Sequence, residues 1–138
     1  MGKSCGGRTT KIHAITDDKC RLYGFALSGG QVHDLKPAPQ LIRQFPKLRK
    51  LLADKAYNAS YIDAYCSVRA IEVVIPPKSN AKIPRQYNEL TYKMRNAVER
   101  CFARLKMFRR VATRYDRKNH TYQSTIIIAA IVSFWLTY

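Results

Sequence analysis

Four polar residues in one short segment have the types and the spacing that could do chemistry together. They follow the pattern Tyr-x2-Arg-x3-Glu-x6-Lys, as Tyr92, Arg95, Glu99 and Lys106. At roughly 100° per residue, this spacing places all four on one stripe of a helix, which we predict over residues 92–110. The carboxylate could bind a hard metal ion, and the cationic side chains could contact a phosphate group.

The other side of the predicted helix is apolar and carries Met94, Val98, Cys101, Leu105 and Phe108. We therefore expect the helix to bury this side, so core packing does not explain the polar stripe. Each polar residue nevertheless has a plainer alternative. Glu99 and Arg95 have the spacing of an ordinary helical ion pair, and Lys106 is one basic residue among many. It is the joint pattern that favours a functional site.

A second candidate residue lies at a strand end upstream. The mostly apolar residues 50–53 predict a buried strand that presents Asp54 at its C-terminal end. The other predicted elements are a hairpin of strands 10–16 and 22–27 around a turn at 17–19, a short helix that follows Pro37 and Pro39 and ends at Pro46, a helix over 60–68, a strand over 71–75, a basic loop over 78–85, a basic linker over 111–120 and a helix over 122–136. This order describes one α/β domain with a mixed sheet over residues 1–138.

The charge of the chain favours a polyanionic partner. There are 25 Lys and Arg residues against 9 Asp and Glu residues, which gives a net charge of +16. Nucleic acid is the favoured partner, although composition alone also fits a ribosome-associated protein or a basic protein with no dedicated partner. We expect phosphate contacts from some members of two basic groups, one of Lys78, Lys82 and Arg85, the other of Arg100, Arg104, Arg109, Arg110, Arg114, Arg117 and Lys118.

The cysteines and the terminal segments predict a cytoplasmic protein. Cys5, Cys20, Cys66 and Cys101 lie far apart without the spacing of metal ligands, as expected of reduced and mostly buried thiols. The N-terminal residues contain no apolar stretch that could act as a secretory signal. The apolar run 126–136 falls short of the roughly 20 residues that span a bilayer, so we predict a buried helix and no membrane partner.

The histidines are interpreted as structural. His33 and Asp34 follow a Gly-Gly pair and could suggest a metal site or a catalytic pair, but a structural loop is the favoured interpretation. His13 lies on a predicted strand, and His120 lies in a polar linker beside no other metal-binding side chain.

Two motifs together resemble a known family. The strand end Leu-Leu-Ala-Asp-Lys-Ala-Tyr at 51–57 and the Tyr-x2-Arg-x3-Glu-x6-Lys segment are similar to the catalytic motifs of bacterial DDE transposases of the insertion-sequence-five type. That family has its second catalytic Asp in an Ala-Asp-Lys-x-Tyr strand end and its catalytic Glu in such a helix. Further resemblance covers residues 6–14, 30–34, 75–77 and 109–116.

The resemblance implies metal-dependent cleavage and strand transfer of DNA. The expected fold is an RNase H-like mixed sheet with flanking helices, in which two Asp and one Glu hold two divalent ions, normally Mg²⁺. Asp54 and Glu99 would be metal ligands. Arg95 and Lys106 would orient Glu99 or contact phosphate, and Tyr92 would touch the DNA near the cut. The implied partners are the transposon ends, the target DNA and further copies of the transposase, acting at the bacterial nucleoid.

One part of the family pattern has no counterpart in this sequence. The first catalytic Asp of the family belongs to a strand that precedes the Gly-Gly-Arg-Thr-Thr-Lys segment, and Asp17, Asp18 and Asp34 come too late to replace it. We therefore expect the sheet to be incomplete, because its first and central strand lies upstream, and we expect an upstream transposase segment as a partner. The leading hypothesis is the C-terminal part of a transposase, inactive by itself. The alternative is a truncated protein that binds DNA or the intact transposase and catalyses nothing.

Overall fold

The computed structural model describes residues 2–4, 7–78 and 86–136, which fall into two units. The first unit contains the residues up to His13 together with Ser28–Arg95, and the second contains Ala14–Leu27 together with the residues from Asn96 onward. Strands and helices both occur along the chain, so the predicted mixed α/β class is confirmed.

A three-stranded sheet at the start of the chain contains the predicted hairpin. Its strands are β1 (Gly2–Ser4), β2 (Gly7–Thr16) and β3 (Leu22–Gly29), in that order, and β1 pairs antiparallel with β2. The connection between β2 and β3 is too short for a crossover, so these strands also run antiparallel. Asp17 closes the turn, because its Oδ1 accepts from the Arg21 backbone N–H at 2.8 Å and its Oδ2 accepts from Arg21 Nε at 2.7 Å.

The first unit also contains a parallel strand pair joined by a helix. These elements are β4 (Lys50–Leu52), α2 (Ser60–Val68) and β5 (Glu72–Val74), with Leu51 opposite Val73 in the ladder. The predicted helix over 60–68 is confirmed, and the two predicted strands are present but shorter. Ahead of them lies α1 (Ala38–Arg43), where the short helix after Pro37 was predicted. The shared core of these elements is formed by Ala38, Ile42, Ile62, Cys66 and Ile71.

The second unit contains three helices that pack on one another. They are α4 (Asn96–Lys106), α5 (Arg109–Ala112) and α6 (Asn119–Phe134). Cys101 and Leu105 on α4 and Ile126 on α6 are fully buried. Burial raises the pKa of the Cys101 thiol to about 12, and Cys66 is buried as well. Three of the predicted reduced cysteines are therefore free thiols, Cys20, Cys66 and Cys101, and Cys5 lies outside the described residues.

The prediction of one helix over 92–110 is wrong. The chain forms α3 (Glu89–Lys93), turns at 94–95, continues as α4, and turns again before α5. Cys101 and Leu105 are buried as predicted, but the side chain of Met94 is 55% exposed. No buried apolar contact therefore extends α4 back to the preceding turn, and packing rather than periodicity sets where the helix begins. Tyr92 therefore lies on α3 and Arg95 in the turn, whereas Glu99 and Lys106 lie on α4.

The predicted C-terminal helix is present but is buried on one side only. Ile126, Ala129 and Ala130 are buried, whereas 48% of Ile127 and 62% of Ile128 are exposed. Within the described residues, none of the helices is both long enough and apolar enough to cross a membrane.

Candidate active site

Asp54 lies at the end of the parallel strand pair. The last contact of the ladder joins the Ala53 N–H to the Val74 carbonyl at 3.4 Å, and Asp54 is the next residue. Its Oδ1 accepts from the Ala56 N–H at 2.7 Å and so caps a single 3-10 turn, Lys55–Tyr57. The half-buried carboxylate is therefore held in one orientation by the backbone.

The second oxygen of Asp54 is placed to serve as a metal ligand. Among residues 2–4, 7–78 and 86–136, no side chain or backbone group is bonded to Oδ2. Hard cations such as Mg²⁺ prefer carboxylate oxygens, so Asp54 fits one ligand position. Asn58 holds the following loop in place, because its Nδ2 donates to the carbonyl of Pro76 at 3.1 Å. The Ile-Pro-Pro segment at 75–77 thus supports the loop that carries the carboxylate.

Tyr57 places a neutral hydroxyl near two carboxylates. The ring packs against the core of the first unit. Burial, together with the nearby charges of Asp34 and Asp54, raises the pKa of Tyr57 to about 12. The phenol therefore stays protonated at neutral pH, as a potential hydrogen-bond donor in a locally anionic part of the unit. The sequence motif contained Tyr57, but no role was predicted for it.

Asp34 is tied to β2 by an ion pair. Lys11 Nζ lies 2.9 Å from Asp34 Oδ1 and 3.0 Å from the carbonyl of Val32. The hydrogen bond from Lys11 lowers the pKa of Asp34, so this carboxylate stays ionised. Gly30 allows the loop to approach β2, because an added Cβ would lie 2.8 Å from the Cβ of Thr9. The sequence does not predict the Lys11–Asp34 pair; the only signal for it is that each residue lies in a segment that resembles the family, 6–14 and 30–34.

His13 is a buried residue with a hydroxyl partner. Its side chain lies on β2, and Nε2 is 2.7 Å from Ser28 Oγ. Burial lowers the pKa of His13 below its usual 6.5, which outweighs the opposing effect of Asp34. The imidazole is therefore neutral near pH 7, as suits a structural role.

The free energy of unfolding is expected to fall as the pH drops below 6.5, because the unfolded chain takes up a proton at His13 before the folded chain does. The loss should begin near pH 6.5 and level off below the lowered pKa of the folded state. Urea unfolding between pH 8 and pH 5 measures it, and His13→Gln should flatten the curve. The matched control, His120→Gln at an exposed position, should leave the curve unchanged; equal slopes for wild type and His13→Gln would contradict the expectation.

Tyr92 and Arg95 lie together at the end of the first unit. The Arg95 guanidinium is 5.7 Å from the centroid of the Tyr92 ring, and the Tyr87 ring packs edge-on against Tyr92 at 5.6 Å. Asn88 caps α3 by accepting from the Thr91 N–H at 2.9 Å. Two of the predicted site residues are thus in contact, and Tyr87 joins them.

Glu99 and Lys106 lie on α4 in the second unit, and both are exposed. They are two helical turns apart, about 10 Å along the axis, on the side away from Cys101 and Leu105. Asp54 belongs to the first unit and Glu99 to the second. Among the residues that the structure describes, there is no group of three His, Cys, Asp or Glu side chains arranged to hold a metal ion. The shared metal site of Asp54 and Glu99 stays a prediction.

The basic residues of the second unit are largely at the surface. Arg100, Arg104, Arg109, Arg110, Arg117 and Lys118 are exposed, and Arg114 is half-buried. Lys78 is also exposed, whereas Lys82 and Arg85 lie outside the described residues. Cationic side chains therefore dominate the part of the chain that follows Glu99.

Comparison with known proteins gives two matches. The family described as "Transposase DDE domain" matches residues 2–134. A protein of Brucella ovis, which bears the name of a transposase for insertion sequence element IS6501, is 25% identical over 130 residues, which cover 93% of this chain and 98% of that protein. No solved structure matches this chain.

Proposed function

This chain belongs to the DDE transposase family and has a role in DNA transposition, and on that premise we propose that it takes part in metal-dependent cleavage and strand transfer of DNA. The observation that carries the proposal is the placement of Asp54, at the end of a parallel strand with one oxygen fixed by the backbone and the other unbonded among the described residues. We further propose an RNase H-like arrangement of the sheet, with Asp54 at the strand end where that fold holds a catalytic carboxylate.

Each site residue has a proposed role. Asp54 and Glu99 would hold Mg²⁺, which supplies electrostatic stabilisation of the attacking and leaving oxygens of the phosphodiester. Arg95 and Lys106 would pair with phosphate, and Tyr92 would contact DNA beside the cut. The Tyr92–Arg95 contact supports a joint role for these two, because it presents a ring and a cation side by side. Tyr57 would keep its proton and help to orient Asp54.

A third carboxylate would come from polypeptide that is outside this sequence. In the family that the motifs resemble, the third carboxylate precedes the segment that corresponds to residues 6–14 of this chain. Two ligands could hold one ion weakly, but the paired-ion arrangement needs the third. We propose that the active assembly is a homo-oligomer on nucleoid DNA, in the bacterial cytoplasm. The exposed apolar side chains of α6, among them Ile127 and Ile128, support self-association.

Reconstitution of activity tests the proposed reaction. Purified chain, Mg²⁺ and element-end DNA are mixed with and without the polypeptide that carries the missing strand, joined covalently or added in trans. Cleavage and strand transfer are expected only when that polypeptide is present. Cleavage by the chain alone, abolished by Asp54→Ala, would show that two carboxylates are enough and would contradict the need for a third. No cleavage in any mixture would contradict the proposed activity.

The alternative function is DNA binding without catalysis, and the excess of exposed cations favours it. Both functions predict binding through backbone phosphates, so affinity should fall steeply between about 50 and 200 mM salt and depend little on sequence. Fluorescence anisotropy with random-sequence duplex DNA measures this. Affinity that hardly changes with salt would contradict phosphate binding. Salt-dependent binding together with inactive reconstituted mixtures would favour the alternative.

A further inference from the structure

The connection between α5 and α6 is built around a buried carboxylate. Asp116 has a side chain that is only 4% exposed. Its Oδ1 accepts from Arg110 Nη2 at 2.6 Å, and its Oδ2 accepts from Thr125 Oγ1 at 3.1 Å. Hydrogen bonding from Arg110 lowers the pKa of Asp116, so the group is an anion at neutral pH. Both oxygens are used inside the protein, which marks Asp116 as a structural anchor rather than a metal ligand.

Arg114 holds the same connection from its other side. Its Nε donates to the backbone carbonyl of Asp116 at 2.9 Å, and its Nη2 donates to Asn119 Oδ1 at 2.7 Å. The guanidinium also lies 4.9 Å from the centroid of the Tyr122 ring. Tyr122 is buried, and its hydroxyl donates to the carbonyl of Val111 at 2.8 Å. Residues 113–118 are therefore fixed to both flanking helices; we call them, together with Arg109 and Arg110, the arginine turn.

The arginine turn carries one exposed aromatic ring and three exposed cations that have no partner within the described residues. Tyr115 is 54% exposed, and Arg109, Arg117 and Lys118 are exposed. Within the described part of the chain, none of these four side chains has an ion-pair or ring partner. Arg110 and Arg114 are held by contacts within the protein, although the Arg110 side chain is 62% exposed, whereas these four side chains face solvent without such contacts among the described residues.

The electrostatics of this segment are unfavourable for the isolated protein. Residues 100–138 contain eight Lys and Arg residues and a single acidic residue, Asp116. That carboxylate is buried against Arg110, so it does not compensate the cations at the surface. A rigid surface of like charges raises the energy of the free protein, and a polyanion bound there would relieve the repulsion. A basic surface that only contacts solvent does not need a rigid backbone, whereas several hydrogen bonds fix the backbone of this connection.

We propose that the arginine turn binds single-stranded DNA, with Tyr115 stacked on an unpaired base and with Arg109, Arg117 and Lys118 paired to the neighbouring phosphates. Aromatic rings between cationic side chains are the usual means of holding unpaired nucleotides. Asp116 is a positioning residue in this site, because it fixes the backbone that carries Tyr115. The inference rests on the proposed function, in which DNA strands are cut and rejoined and unpaired nucleotides arise at the ends.

Affinity for single-stranded and duplex DNA tests the role of Tyr115. The purified chain is titrated into a single-stranded oligonucleotide that contains one 2-aminopurine, and into its duplex, at one salt concentration. Tyr115→Ala is expected to weaken single-strand binding about tenfold and to abolish quenching of the 2-aminopurine, with little effect on the duplex. Tyr115→Phe keeps the ring and should behave as wild type. Tyr23→Ala removes another exposed tyrosine, 57% exposed, and should change nothing.

A second variant distinguishes a positioning role of Asp116 from the effect of its charge. Asp116→Asn makes the chain more positive, so charge alone predicts tighter binding to both kinds of DNA. If Asp116 positions Tyr115, the ratio of single-strand to duplex affinity should instead fall toward that of Tyr115→Ala. Equal single-strand binding by wild type and Tyr115→Ala would overturn the inference while leaving DNA binding intact. Absence of binding to either DNA would overturn both the inference and the proposed function.

Discussion

Asp54→Asn is expected to lower DNA cleavage by the reconstituted transposase about 1,000-fold or more. A metal ion at the reacting phosphate contributes several kcal/mol of stabilisation to the transition state, and each 1.36 kcal/mol corresponds to tenfold in rate. Asn is chosen because its side-chain oxygen can still accept from the Ala56 N–H and cap the 3-10 turn. The loss would therefore come from the missing charge and metal ligand and not from a disordered loop. Single-turnover cleavage of element-end DNA measures it.

Matched controls separate this effect from a general loss of negative charge. Asp18→Asn removes the same charge from an exposed position in the hairpin turn and should leave cleavage unchanged. Glu99→Gln should be as damaging as Asp54→Asn, whereas Glu89→Gln, at an exposed position in α3, should not be. If Asp54→Asn cleaves DNA at a rate within tenfold of wild type, Asp54 is not a catalytic metal ligand.

Leu105→Ala is expected to destabilise the second unit by about 2–5 kcal/mol. Leu105 is fully buried on α4, which packs against α5 and α6, so the truncation removes apolar contacts and leaves a cavity. The stability of a domain is typically of the same order as this loss, so part of the population would be unfolded at 37 °C. Urea unfolding followed by circular dichroism gives the free-energy difference.

Met107→Ala provides the control for the buried leucine. Met107 is 83% exposed, and its truncation should change the free energy of unfolding by no more than about 0.5 kcal/mol. Similar effects of the two substitutions would mean that α4 does not pack through Leu105 as described.

Sequence predicted the elements whose pattern is local. Alternating apolar residues and a turn at 17–19 predict the hairpin, and the position between two predicted strands favours the helix Ser60–Val68. Both elements are present. The helix predicted over 92–110 failed because its apolar spacing continues through Met94, while the packed face starts at Ala97. Periodicity states which side a helix would bury, but whether a partner surface is there to bury it depends on tertiary structure.

The sequence predicts only those residues of the candidate site that belong to recognisable motifs. The motif resemblance singled out Asp54, and the structure places it at a strand end. The Lys11–Asp34 ion pair and the position of Tyr57 near Asp34 join residues that are distant in sequence, so no spacing rule could find them. Asp116 was part of a family-like segment, and its burial against Arg110 could not be read from a run of basic residues.

The most direct test of the shared metal site is iron-mediated cleavage of the polypeptide. The chain is combined with the polypeptide proposed to carry the third carboxylate, and Fe²⁺ replaces Mg²⁺. Hydroxyl radicals generated with ascorbate and peroxide then cut the backbone close to the bound ion. Cuts are expected beside both Asp54 and Glu99, and either Asp54→Asn or Glu99→Gln should abolish both sets. Cuts beside only one of the two carboxylates, or cuts beside Glu99 that persist in Asp54→Asn, would contradict a metal site formed by both.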